Sequence, residues 1–337
     1  MAVTIKDVAR EANVSVASVS RALNGHASMA DGTRERILDV VARLRYVPHP
    51  SARSLITRRT HTIGALLPDL HGEFFSEVIR GIDLAARARG LHLLVSGSHG
   101  DAAELAAASR AMHGRVDGML VMSPHIEAQL GRDDLPADLP IVLLNTPTTD
   151  TQHPALNIDN FGGAHAMVRH LVARGHRRIA LIAGPERNFD AAERLRGYRE
   201  AMAKHVPGVE PQIWPGDFTE QAGYAAGQSL LARHARPDAV FAANDMMAVG
   251  CLFALNEAGV RVPQDVALAG FDDIPIARFV SPPLTTVHVR IAELGRRALE
   301  CLVEQLENPD AGAGRTQTLA CEIVVRGSCG TEAADGR

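Results

Sequence analysis

Apolar positions at the start of the chain recur with helical spacing. Between Thr4 and Gly25, Ile5, Val8, Ala9 and Ala12 repeat at three and four residues, which puts them on one helix face. Thr4 has the side chain of an N-cap for that helix. Asn13-Val14 makes a corner, and Ser15 can cap a second helix whose inward face is Val16, Val19, Ala22 and Leu23. Asn24-Gly25 stops it. Asp31–Arg45 predicts a third amphipathic helix, with Ile37, Val40, Val41 and Leu44 completing a small core. Two short helices across a tight turn, the second arginine-bearing on its outer side, predict a helix-turn-helix whose second helix enters the DNA major groove. An ordinary helical hairpin in a core has the same periodicity, so the rest of the chain has to decide between them.

From residue 62 the period changes to alternating strands and helices. THTIGALLPD, 91–96, 116–124 and 139–145 predict strands, with helices over 74–89 and 102–113 between them. A second unit starts near Asp159 with the helix GGAHAMVRHLVARG, the strand HRRIALIAGP and a helix over 190–204. Strands follow at 237–245, 266–273 and 284–289, then a helix over 290–307 and a last strand over 318–327. This βαβ rhythm predicts parallel sheets covered by helices on both faces. The tail after Gly327, SCGTEAADGR, is polar and reads as disordered.

Charge sharpens the division. Residues 1–60 carry ten Lys and Arg against five Asp and Glu, whereas the net charge of all 337 residues is −4. A basic head on an acidic body fits a head that meets phosphate. Cys251, Cys301, Cys321 and Cys329 have no CxxC spacing and read as free thiols of a reducing compartment. The histidines form no HExxH or paired metal pattern, and no P-loop, GxGxxG after a strand or GxSxG elbow is present. The expectation is therefore no enzyme, no cofactor and no metal. No apolar run approaches eighteen residues and no signal segment opens the chain, so a cytoplasmic protein is expected.

Five ordered words, TIKDVA, VSVASVSRALNG, TRERIL, RLRYVP and SARSL, together resemble the lactose/galactose repressor family of bacterial transcription regulators, and the likeness runs to about residue 326. The resemblance implies an all-α helix-turn-helix head (1–48), a hinge (49–60), and a periplasmic-binding-protein-like α/β body (61–330) of two parallel-sheet subdomains. These would take 61–158 plus 290–316 and 159–288 plus 317–328. It also implies a sequence-specific regulator, a repressor, that binds palindromic operator DNA as a homodimer.

On the second helix, Ser15, Val16, Ala17, Ser20 and Arg21 occupy the exposed first turn and far end, where base edges are within reach. By resemblance Val16, Ala17 and Arg21 fall on the family's specificity positions. Arg21 can fork onto guanine, while Val16 and Ala17 supply apolar contact to a thymine methyl. Thr4, Ser18, Asn24 and Thr33 would orient the head on phosphates. In the family the hinge turns helical on DNA and opens the minor groove with a leucine, which here is Leu55, with Ala52 and Arg53 beside it.

In a doubly wound body ligands sit beyond the carboxyl ends of the strands. Those positions are Asp69, Phe74, Phe75, Ser123 and Asn145 in the first unit, and Asn188, Asp190, Arg194, Phe218, Asn244 and Asp272 in the second. The words FAANDMMA and GFDD match the family, and AERLRGY places its clamp arginine at Arg194. Asp159 in NIDN is expected to cap the following helix or to orient Arg194. Carboxylates, amides and guanidinium groups suit paired hydroxyls, and phenylalanines suit C–H faces, so the expected effector is a small sugar or sugar derivative. The phenylalanines also leave a purine or nucleoside effector open. A sugar-binding transport protein would share the body but would lack the helical head.

Overall fold

The computed structural model describes residues 3–23, 29–46, 59–123, 135–147, 153–232, 236–308 and 314–330. The chain forms two compact units, Met1–Thr60 and His61–Arg337.

In the head, α1 (Ile5–Glu11), α2 (Val16–Leu23) and α3 (Asp31–Arg43) enclose a core of Val8, Ala9, Ala12, Val19, Ala22, Ile37 and Val40. These are the residues that the three-and-four spacing selects. Asn13 takes a left-handed φ of 52° at the corner, a conformation that asparagine tolerates better than most residues. Asp7 reaches back to the first turn, accepting from the Thr4 N–H at 2.9 Å and the Thr4 hydroxyl at 2.6 Å. Arg43 donates to Glu11 at 2.8 Å and ties α3 to α1. Val16 differs from expectation: it is 40% exposed and packs outside the core.

The body holds two six-stranded sheets. The first takes β1 (Thr62–Leu67), β2 (His92–Gly97), β3 (Gly118–Met122), β4 (Ile141–Leu144), β5 (Ala155–Ile158) and β11 (Thr316–Leu319), in the order β11-β5-β4-β3-β1-β2. Every pairing in it is parallel. Helices α4 (Glu73–Arg87) and α5 (Ala102–Met112) connect its early strands.

The second sheet takes β6 (Ile179–Ile182), β7 (Gln212–Trp214), β8 (Ala239–Ala242), β9 (Ala267–Asp272), β10 (Thr285–His288) and β12 (Glu322–Val324), in the order β12-β10-β9-β8-β6-β7. Only β12 runs antiparallel, against β10. Its helices are α6 (Asn160–Ala173), α7 (Phe189–His205), α8 (Glu220–Leu231) and α9 (Asp245–Glu257). Helix α10 (Ile291–Glu307) follows β10 and packs on α4 of the first lobe. The inner strands β1, β3, β4, β6, β8 and β9 are almost wholly buried apolar runs because both faces are covered, whereas the edge strands β2, β7, β11 and β12 are more polar and partly exposed.

Three segments cross between the lobes: 158–160, 288–291 and 319–322. The last corrects the sequence reading. The expected single strand over 318–327 is two short strands in different sheets, with Thr316–Leu319 parallel to β5 and Glu322–Val324 against β10. A change of sheet leaves no mark on the residue types of so short a stretch, so periodicity could not find the break. The start of the tail is also ordered. Ser328 and Cys329 are buried, and Ser328 Oγ donates to the Leu268 carbonyl at 2.6 Å while accepting from the Thr285 N–H at 2.8 Å. Residues 331–337 lie outside the described residues.

Candidate functional site

The outer side of α2 presents a small surface of the expected composition. Ser15, Val16, Ala17 and Arg21 are exposed, and Ser18 and Ser20 are half-buried. Ser15 holds the start of the helix, its Oγ accepting from the Ser18 N–H at 3.1 Å and lying 2.9 Å from the Ser18 hydroxyl. Arg21 Nε donates to the Ala17 carbonyl at 3.3 Å, which keeps the stem along the helix and the two terminal nitrogens outward. Thr4 and half-buried Thr33 sit at the N-terminal ends of α1 and α3, although the Thr4 N–H and hydroxyl already donate to Asp7 and the first turn of α3 holds Asp31. Exposed Val16 has no packing role in the head, which leaves apolar contact as its chemistry. Asn24, Ala52, Arg53 and Leu55 lie outside the described residues.

In the body, a cavity of about 280 Å³ opens between the lobes. It is walled by the loops beyond β1, β2, β6, β7, β8 and β9, all at carboxyl ends, as the topology of parallel sheets dictates. Its centre is Arg194 on α7, which is 3% exposed. Arg194 Nε donates to Asn160 Oδ1 at 2.8 Å, NH2 donates to Asp272 Oδ1 at 3.0 Å, and NH1 donates to the Ala243 carbonyl. The Phe271 ring lies 3.8 Å from its Cζ and the Phe218 ring 5.7 Å. Asp190, one helical turn earlier, accepts from Asn160 Nδ2 at 2.7 Å and from Asn145 Nδ2 at 3.1 Å. The Asn145 bond spans the lobes.

Burial pushes the Asp190 and Asp272 carboxyls up to about 6, while the Arg194 guanidinium pulls both the other way. Both are therefore largely ionised at neutral pH, and two anions share one cation. Beneath them Asp245 accepts from the Thr286 hydroxyl at 2.6 Å and from the Ile274 N–H at 3.0 Å. Burial and the neighbouring Asp272 hold its carboxyl well above the usual carboxylate range. Backbone strain gathers at the same place. Phe218 has φ 73°, Asp272 φ 112°, Asn145 φ 44° and His99 φ 47°, conformations that cost side-chain-bearing residues about 1–3 kcal/mol each. Gly184 explains how Phe218 is seated, since a Cβ there would come within 2.5 Å of its ring.

Most of the expected cleft residues line this cavity: Asp69, Phe74, Phe75, Asn188, Asp190, Arg194, Phe218, Asn244 and Asp272 do. Ser123 and Asn145 do not; both are buried, and Asn145 acts on Asp190 instead. Two expected hydroxyl binders are largely committed to the backbone. Asn188 Oδ1 caps α7 at the Ala191 N–H (3.0 Å). Asn244 Oδ1 caps α9 at the Met247 N–H (3.0 Å), and its Nδ2 donates to the Phe218 carbonyl at 3.0 Å. Asp159 caps α6 at the Gly162 N–H (2.8 Å), and its neighbour Asn160 orients Arg194. Sequence reasoning missed Asn160, Glu73, His71, His99, Asp217 and Glu220. Carrying the strand-end rule through the loops after β2 and β7 would have found His99, Asp217 and Glu220; no spacing distinguishes Asn160 from a cap.

A three-helix head with a polar, exposed second helix, carried by a two-lobed α/β body with a cleft at its strand ends, defines a ligand-controlled DNA-binding regulator. Residues 4–49 match the model of bacterial regulatory proteins of the lacI family, and residues 168–329 match the periplasmic binding protein-like domain. The chain is 36% identical to the HTH-type transcriptional repressor CytR of Escherichia coli (strain K12), over 97% of this chain and 96% of that protein. It is 36% identical to the ribose operon repressor of Haemophilus influenzae, over 96% of this chain and 98% of the relative. Among solved structures, the Lac repressor dimer bound to operator and the anti-inducer ONPF matches with TM-score 0.89 at 28% identity, covering 98% of this chain and 99% of that one. The complex of the regulator CelR with cellobiose matches with TM-score 0.71 at 32% identity, covering 97% and 99%. The chain belongs to the lacI family of bacterial regulatory proteins. Among the described residues no helix is long and apolar enough to cross a membrane.

Proposed function

We propose that this regulator is a cytoplasmic repressor and not an enzyme, and that a small sugar or sugar derivative in the interlobe cleft controls its operator affinity. The observation that carries the effector reading is the buried Arg194–Asp272–Asp190 network at the end of a cavity of about 280 Å³. That volume sits near the lower limit for small-molecule sites, which suits a monosaccharide. Carboxylates accept from hydroxyls, the remaining guanidinium N–H groups donate to them, and Phe74, Phe75 and Phe218 offer faces to sugar C–H groups. The cellobiose complex and the ribose operon repressor support a sugar. Phe74 and Phe75, edge to face at 5.4 Å, favour a nucleoside as the second reading, its pentose on Asp272 and its base on the rings.

Operator contact is assigned to Val16, Ala17 and Arg21 for bases, with Thr4, Ser15, Ser18, Ser20, Asn24 and Thr33 positioning the head and Ala52, Arg53 and Leu55 acting in the minor groove. One short recognition helix offers too little surface for specific affinity, so the protein works as a homodimer on a palindromic site. Exposed Leu84, Leu94, Phe253 and Phe279, the last 79% exposed, are the candidates for its subunit contact. The test is fluorescence anisotropy with a palindromic operator fragment at physiological salt, repeated across a panel of sugars and nucleosides. A compound that shifts operator affinity supports the reading. Equal affinity for symmetric and scrambled DNA would defeat the regulator reading, and an operator-binding protein deaf to the whole panel would defeat the effector reading. Light scattering showing a stable tetramer at micromolar concentration would defeat the dimer.

A further inference from the structure

The charges around the cleft discriminate between ligand classes. Among the described residues its lining carries six carboxylates, Asp69, Glu73, Asp190, Asp217, Glu220 and Asp272, against a single guanidinium, Arg194, with the imidazoles of His71 and His99 beside them. Arg194 is poorly placed to receive an anion. Each of its three nitrogens already donates to Asn160, Ala243 or Asp272, and its charge is shared between two buried carboxylates.

Helix N-termini are the other anion sites that a doubly wound sheet supplies. Here the protein answers them itself. Asn188, Thr219 and Asn244 cap α7, α8 and α9 by accepting from the N–H groups of Ala191 (3.0 Å), Ala222 (3.2 Å) and Met247 (3.0 Å). The first turns of α4, α7 and α8 hold Glu73, Asp190 and Glu220, so these three helix dipoles already face a negative charge.

We infer that the cleft selects an uncharged polyol and rejects the phosphate monoester of the same sugar or nucleoside; this rests on the reading that the cleft holds the effector. A phosphate monoester brings between one and two negative charges at neutral pH. In the cleft they meet Asp190 and Asp272, which are buried, and Asp69 and Asp217, which are exposed and whose repulsion salt can screen. The uncharged parent uses the same carboxylates as hydroxyl acceptors. Discrimination therefore comes from groups that also bind.

The test is calorimetric titration of the full chain with ribose, glucose and adenosine, each beside its phosphate monoester, at low and at moderate salt. For whichever parent binds, its ester is expected to bind at least tenfold more weakly. That gap should narrow as salt rises, because screening relieves the repulsion and leaves the parent unaffected. The double variant Asp217→Asn, Glu220→Gln should narrow it severalfold at low salt. An ester that binds as tightly as its parent overturns the inference. So does a gap indifferent to both salt and the double variant, because shape and not charge would then exclude the ester. A panel in which nothing binds fails one step earlier, at the sugar or nucleoside reading of the cleft, and removes the inference with it.

Discussion

Replacing Arg194 by methionine isolates the charge at the centre of the cleft. Methionine keeps an unbranched apolar stem for the Phe271 and Phe218 rings but deletes the cation and its bonds to Asn160, Ala243 and Asp272. Asp190 and Asp272 then remain buried without it. Removing one partner of a buried ion pair costs about 3–5 kcal/mol, because the survivor stays desolvated and uncompensated. The cost must depend on pH, and its sign is fixed. Both carboxyls sit at about 6 in the folded parent, above their ordinary value, and Arg194 is the largest of the influences that lower them, with Asn160 and Asn145 also lowering Asp190. Without it they rise further. A group whose folded value is raised binds its proton more tightly in the folded state, so stability falls as pH rises from the unfolded value to the folded one.

In the variant that fall extends to higher pH than in the parent. The difference between the two should therefore be greatest near pH 7.5 and should shrink as pH approaches about 5.5, where most of the carboxyls are protonated in both proteins. Urea unfolding of the body, followed by circular dichroism at the two pH values, measures it. A loss under about 1 kcal/mol, or one of equal size at both pH values, would refute the idea that Arg194 chiefly serves to neutralise these carboxylates. Under conditions where the variant is folded, operator binding should persist and the response to effector should be lost.

Arg21→Ala should weaken operator binding by about 1–3 kcal/mol and relax one base position in each half-site; selection from a randomised half-site would contradict this if the preference stayed sharp. Effector affinity should decline as pH falls through about 6, because protonated Asp272 and Asp190 each lose acceptor capacity; a flat calorimetric profile from pH 7.5 to 5 would mean that the ligand does not use these carboxylates. Leu55→Ala should weaken specific operator binding strongly and leave effector affinity within about twofold, since a lost wedge removes the kinked, better-wrapped site; equal losses in both titrations would show that the segment is not a separate DNA-contacting element.

Where the sequence was legible, the physics is short-range. The head core follows from spacing alone, and strands such as β1, β6 and β9 are apolar runs of the length that a covered parallel strand needs. Helix α9 has no counterpart among the expected elements because it is apolar on nearly every side. Met247, Ala248, Cys251, Leu252, Ala254 and Leu255 are all buried, so no amphipathic stripe announces it. Helix α8 packs through Gly223, Ala226, Gly227 and Leu230, a small-residue face with little apolar contrast. The site divides the same way. Arg194 and Asp272 were found from motif words, whereas the roles of Asn160, Asn145 and Glu73 depend on where other segments arrive. Strain at Phe218 has no signature in residue type, because a bulky aromatic rarely adopts a positive φ, and at Asp272 the φ of 112° lies outside the left-handed region that aspartate tolerates.

A ligand can shift an equilibrium between lobe arrangements only through groups that it treats differently in each. Two hydrogen bonds identify such groups. Asn145, at the end of β4 in the first lobe, donates to Asp190 of the second at 3.1 Å. Glu73, at the start of α4, accepts from the Ile276 N–H at 3.0 Å. Both use a carboxylate that also lines the cavity. Asp190 and Glu73 are thus shared between holding the lobes together and facing a ligand. A hydroxyl donating to Asp190 competes with Asn145 or binds beside it, and that geometry decides whether the ligand loosens or tightens the closure. By contrast Arg194 and Asp272 belong wholly to the second lobe, and contact with them alone adds affinity without preference. The response to effector should accordingly be more sensitive to Asn145→Ala than effector affinity is. Measured together, operator affinity with and without ligand and ligand affinity itself would separate the two, and a proportional loss in both would place the switch elsewhere.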